Sequence, residues 1–99
     1  MSDTTTKTKE VTTTVIKEPG KYKVVVCNDD VTPMEFVIVM LMTIFKHKQD
    51  SATDLTLKIH NDGRAIAGVY TYEIAEQKGI DATSLSREHG YPLVIKVEE

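Results

Sequence analysis

A small mixed α+β domain, with a three-stranded antiparallel sheet covered on one face by three helices, is the fold class that this 99-residue chain predicts. Two observations carry it. Stretches of strand length rich in β-branched and aromatic residues occur at 21–28, 64–71 and 93–97. Between them lie longer segments whose apolar residues recur at helical spacing, each closed by Gly or Pro punctuation. The order is strand, helix, helix, strand, helix, strand, with no internal repeat.

Residues 1–19 form a polar, Thr-rich tract in which Val11, Val15 and Ile16 make no periodic face, so a flexible arm is expected there and a folded domain over 20–99. Pro19-Gly20 ends the arm, and Tyr22, Val24, Val25 and Val26 mark the first strand, with Cys27 as one more small apolar strand residue. Asn28-Asp29-Asp30-Val31 is turn chemistry. Thr32-Pro33-Met34-Glu35 then reads as a helix start, with Thr32 capping, Glu35 reaching back as a capping box and Pro33 in the first helical position.

Val37, Met40, Leu41 and Ile44 make the helix stripe as far as Phe45, while Phe36 and Val39 leave the rest of the circumference unusually apolar; part of it is expected in a binding surface. Lys46-His47-Lys48 suits the negative end of the helix dipole. Asp50 or Ser51 is expected to cap a second helix carrying Ala52, Leu55 and Ile59, which Asn61-Asp62-Gly63 stops. The next strand holds Ile66, Val69 and Tyr70 around Gly68, where another group approaches the backbone closely. A third helix over 72–89 has Ile74, Ala75, Ala82 and Leu85 as its stripe, with Gly79 a weak point costing about 1 kcal/mol relative to Ala. Gly90 and Pro92 end it before the last strand.

Composition narrows the function. Twelve basic against 15 acidic side chains give a net charge of −3, and the basic residues form no cluster that could neutralise phosphates, which disfavours a nucleic-acid binder. The longest uncharged stretch, 36–45, is far short of the roughly 20 apolar residues of a membrane span. A single Cys and no apolar leader point to a reducing, cytoplasmic-type compartment. Asn28-Asp29-Asp30 gathers acceptors between a strand end and a helix start; by itself it fits a structural turn, an acid/base dyad, part of a metal site or a cradle for a cation. His47, His60 and His89 lack metal-ligand spacing, and a Cys27–His60 nucleophile pair would need a coincidence of folding.

The joint pattern says more. Tyr22 to Val37, including Asn28-Asp29-Asp30 and Thr32-Pro33-Met34-Glu35-Phe36-Val37, is followed by His60-Asn61-Asp62-Gly63, Gly68-Val69-Tyr70-Thr71, Glu73-Ile74-Ala75-Glu76 and Pro92-Leu93. In this order and register, from residue 21 to the C-terminus, the chain resembles the ClpS family of protease adaptors. The resemblance implies a monomeric, non-enzymatic receptor for N-degrons, without cofactor or metal, that grips the first residue of a substrate protein and hands it to a Clp-type AAA+ unfoldase. It assigns Asn28, Asp29 and His60 to the substrate α-amine, and Asp30, Thr32, Met34, Val37 and Leu93 to the wall of the side-chain pocket. Glu73 and Lys78 resemble the surface that docks on the unfoldase N-terminal domain, which the Thr-rich arm would also engage.

Elementary chemistry agrees with such a job, since an N-terminus offers a cation and, one bond away, a side chain; its receptor needs acceptors at a rim above an apolar hole. Two departures from the family pattern stand out. Thr56 replaces a pocket-lining Met of the second helix, which puts pocket depth and preference in question, and Gly79 replaces a non-glycine residue of the third. Two rival readings are a small acid-dependent hydrolase using Asp29, Asp30 and His60, and a generic interaction domain indifferent to a free amine.

Overall fold

The computed structural model describes residues 21–99. The proposed arm at 1–19 lies outside these residues. In chain order the elements are β1 (Tyr22–Cys27), α1 (Met34–Ile44), α2 (Gln49–Asp62), β2 (Arg64–Tyr70), α3 (Tyr72–Glu88) and β3 (Val94–Glu98). The sheet order is β2-β1-β3 and both pairings are antiparallel. α3 packs on all three strands, α2 on β2, and α1 against α2 and α3, so the helices share one face.

β1 is central because Val24, Val25 and Val26 are all buried, as a strand flanked on both edges requires. Its register with β3 runs from Lys23 opposite Glu98 to Cys27 opposite Val94. Against β2, Val24 faces Gly68 and Val25 faces Ile66, so Ala67 is an extra residue at a bulge. Two residues apart on β2, Ala65 and Ala67 share the core face with Val24, Val26, Met40, Leu41, Ala52, Ile59, Ala75, Ala82 and Leu93. The opposite face carries exposed Ile66 and Val94, and a 2.6 Å Arg64–Glu98 ion pair spans it diagonally.

Two tight places depend on glycine. Gly63 ends α2 at φ +90°, a left-handed conformation that costs a Cβ-bearing residue strain, and its N–H returns to the Ile59 carbonyl at 2.9 Å. At Gly68 the Tyr70 ring and hydroxyl lie where a Cβ would be, which is the close approach the strand glycine announced.

Several local expectations are corrected. Pro33 is the N-cap of α1, extended at ψ 144°, and no side chain caps the helix; the Thr32 hydroxyl is donated to Asp29, so no capping box forms with Glu35. α2 begins at Gln49 with Lys48 as its N-cap, and neither Asp50 nor Ser51 caps it. α1 is closed at its C-terminus by Lys46, which takes a left-handed φ of 63°, and by the His47 N–H bonded to the Leu41 carbonyl. The cation at that end comes from α3: Lys78 Nζ donates to the Ile44 carbonyl at 2.9 Å. The buried stripe of α3 is Ala75, Gly79, Ala82 and Ser86, whereas Ile74 is 49% exposed. Small residues at this spacing let the helix sit close on the sheet, with a Cβ at Gly79 falling 3.4 Å from Val97 Cγ2.

Candidate functional site: a polar-rimmed cavity between β1, α1 and α2

Asn28, the residue after β1, donates its backbone N–H to the Gly63 carbonyl at 2.8 Å. That bond draws the strand end against the turn after α2, and the left-handed Gly63 makes the turn possible. Residues far apart in sequence thereby meet around one cavity of about 220 Å³, lined by Asn28, Asp29, Asp30, Thr32, Met34, Val37, Thr56, Ile59 and His60. An apolar cavity of roughly 150 Å³ holds a benzene ring, so this one accommodates a single aromatic or branched side chain with its connecting atoms.

Asp29 organises the turn that forms the rim. One carboxylate oxygen, Oδ1, accepts the backbone N–H groups of Val31 at 2.8 Å and Thr32 at 2.7 Å; the other accepts the Thr32 hydroxyl at 2.8 Å. Partial burial by itself raises the carboxyl pKa. The hydrogen bonds from Thr32 and Val31, together with the positive charge of Arg87, outweigh that burial and hold Asp29 below its ordinary value. It is therefore an anion at neutral pH, with Asn28, Asp30 and His60 beside it around the same opening.

The wall is apolar and comes from two helices. Met34 and Val37 lie in the first turn of α1, with Met34 partly exposed at the entrance. From α2 come Ile59 and Thr56, the latter 3% exposed with its hydroxyl donated to the Ala52 carbonyl at 2.7 Å. That internal bond satisfies the one polar hydrogen Thr56 carries, so its presence in an apolar wall leaves no orphaned donor. Seen from the cavity, position 56 is a short wall residue and no new polar hook.

Of the residues singled out from sequence, Asn28, Asp29, Asp30, Thr32, Met34, Val37, Thr56 and His60 converge here. Leu93 does not line the cavity; it is 1% exposed and sits in the core. Ile59, a residue of the α2 stripe, also lines the cavity, and its place between Thr56 and His60 at helical spacing is the signal for a wall residue. Glu73 is exposed in the first turn of α3, whereas Lys78 is partly buried, bonded to Ile44 and 5.4 Å from the Tyr70 ring centroid. The two stand on different sides of the helix, five residues apart. Among the described residues, no three His, Cys, Asp or Glu side chains are grouped to hold a metal ion, and no helix is long and apolar enough to cross a membrane.

Fold and cavity together define a small α+β binding domain whose site presents acceptors over an apolar hole. The family model for the ATP-dependent Clp protease adaptor protein ClpS matches residues 17–96. The ClpS adapter protein of Helicobacter hepaticus is 48% identical over 86 residues, covering 87% of each chain, and that of Burkholderia cenocepacia is 44% identical over 84 residues, covering 85% of this chain and 81% of its own. The solved structure of Agrobacterium tumefaciens ClpS2 bound to L-phenylalaninamide superposes with a TM-score of 0.78 at 40% identity, covering 82% of this chain and 98% of that one. The chain belongs to the ClpS family of adaptors of the ATP-dependent Clp protease. It is an adaptor rather than a protease, which sets aside the hydrolase reading.

Proposed function

We propose that the cavity receives the first residue of an N-degron, with the α-ammonium at the rim formed by Asn28, Asp29 and His60 and a Leu, Phe, Tyr or Trp side chain in the hole below. The observation that carries this reading is the convergence of three acceptor-bearing residues with an apolar wall around about 220 Å³. A buried cation without acceptors is strongly penalised, and here an anionic Asp29 stands at the opening. L-Phenylalaninamide, the compound bound to the Agrobacterium tumefaciens relative, combines a free α-amine with a benzyl side chain, the two features this site complements.

On the same reading, Met34 at the entrance excludes first residues branched at Cβ. Asp30, Thr32, Val37, Thr56 and Ile59 shape the hole, and Leu93 supports it from the core. Glu73, exposed in the first turn of α3, docks on the N-terminal domain of a Clp-type AAA+ unfoldase, with Lys78 supporting that helix through its bond to Ile44, and residues 1–19 engage that machine during delivery. Titrating a fluorescent peptide with a free N-terminal Phe against its N-acetylated twin tests the central claim. Saturable binding of the first and none of the second is expected; equal affinity for both would refute it.

A further inference from the structure

The outer side of α1 is an apolar surface that the cavity does not account for. From residue 34 to residue 45 the sequence holds one charged side chain, Glu35. The core takes Phe36, Val37, Met40 and Leu41, yet Met34, Val39 and Met42 are 37%, 54% and 37% exposed. Met34, Ile38 and Met42 recur every four residues and so share one side of the helix, with Val39 next to Ile38. A surface helix ordinarily turns charged or polar residues outward, and a continuous apolar strip there marks an interaction site. The strip starts at the cavity, because Met34 belongs both to it and to the lining.

Tetrahedral geometry says what reaches the strip. The Cα of a seated first residue directs its ammonium, its side chain and its carbonyl three separate ways. With the ammonium at Asn28, Asp29 and His60 and the side chain in the hole, the carbonyl leaves by the α1 side of the mouth, where Met34 stands partly exposed. We propose that the outer side of α1 is a second contact surface of this receptor, on which Ile38, Val39 and Met42 receive apolar side chains of the substrate segment that directly follows its first residue. The inference rests on the reading above, since only a seated first residue aims the chain this way. From Met34 to Met42 the helix rises about 12 Å, the reach of roughly three or four extended residues at about 3.3 Å each, which places positions 2–5 of the substrate along the strip.

Two peptides with a free N-terminal Phe test this, Phe-Ala-Leu-Val-Leu and Phe-Ala-Ser-Gly-Ser, each followed by the same polar fluorescent tail. The wild type should bind the first about 5- to 10-fold more tightly, because its apolar side chains leave water on the strip. In the double variant Val39→Ser, Met42→Gln, whose changes lie on an exposed side and spare the cavity, that advantage should fall below about twofold while the Ser-Gly-Ser peptide binds as before. A spin label attached just after position 5 of the bound Leu-Val-Leu peptide should broaden the NMR methyl signals of Val39 and Met42. Equal affinities in the wild type, an advantage that survives the double variant, or broadening confined to Val31 in the rim turn overturns the proposal and leaves the N-degron reading standing. Binding of neither peptide to the wild type refutes both. A wild-type dimer that the double variant breaks gives this face to a second copy and likewise overturns the proposal. Should the double variant not fold, the broadening pattern in the wild type decides.

Discussion

Two hollows on this domain differ in size and in what makes a site. One is the cavity of about 220 Å³ between β1, α1 and α2; the other is a groove of about 330 Å³ between α3 and the edge strand β3, lined by Glu76, Gly79, Ile80, Thr83, Ser84, Ile95 and Val97. The groove is larger. Its polar groups, however, come from successive turns of one helix, and the only charge among them, Glu76, already accepts the Tyr72 hydroxyl at 3.1 Å. In the cavity, acceptors from a strand end, a turn and a helix end converge on one opening. Convergence of polar groups from separate elements, more than volume, separates a receptor for a charged amine from a packing groove.

Removing the charge pairing at the rim should have the largest effect. Asp29→Ala, or acetylation of the peptide amine, is expected to weaken binding of a Phe-initiated peptide by about 100-fold or more, since charge-assisted hydrogen bonds contribute roughly 1.5–3 kcal/mol each and every 1.4 kcal/mol is tenfold. Isothermal titration calorimetry measures both. A comparable loss from Ile80→Ser in the groove would erase the distinction between the two hollows.

Asp29 also ties the rim to stability. Its pKa is lowered in the folded protein, so its stabilising contribution is complete above the ordinary carboxylate value and is lost as pH falls through the lowered folded value. Asp29→Asn should therefore cost more thermal stability at pH 6 than at pH 2.5. Melting curves at the two pH values check the sign, and an equal cost at both would mean that Asp29 stabilises only through interactions its neutral form also makes.

A smaller effect is expected at the wall. Thr56→Met lengthens a wall residue, so the preference for Trp and Tyr over Leu should shrink by a few-fold as the cavity narrows and Leu regains contacts worth on the order of 1 kcal/mol per methylene-sized gap. Thr56→Val removes only the bond to Ala52 and should leave that preference alone. Competition among peptides differing in their first residue reads this out; an unchanged ranking in Thr56→Met would show that position 56 does not set the depth.

The smallest change belongs to the groove. Ile80→Ser, on an exposed face, is expected to alter Phe-peptide affinity less than about twofold and stability within about 0.5 kcal/mol. Calorimetry and melting curves on the same sample settle both figures.

Sequence by itself determined the element order and the residue types of the site. Strand length with β-branched content at Val24 to Val26, helical spacing of Val37, Met40 and Leu41, and the stop at Gly63 are local signals, because backbone preference and side-chain period act over a few neighbours. The clustering of Asn28, Asp29 and Asp30 was equally visible, but as a turn with several uses. Tertiary structure set that turn at the rim of a cavity walled by Met34, Val37 and Thr56. Whether Thr32 capped a helix or served Asp29 depended on competing partners a few ångströms apart, and the carboxylate took the hydroxyl. That Lys78 closes α1 from another helix and that Leu93 belongs to the core depend on contacts between residues remote in sequence. No periodicity encodes such contacts, because they exist only once burial of the apolar faces has set the helices against the sheet.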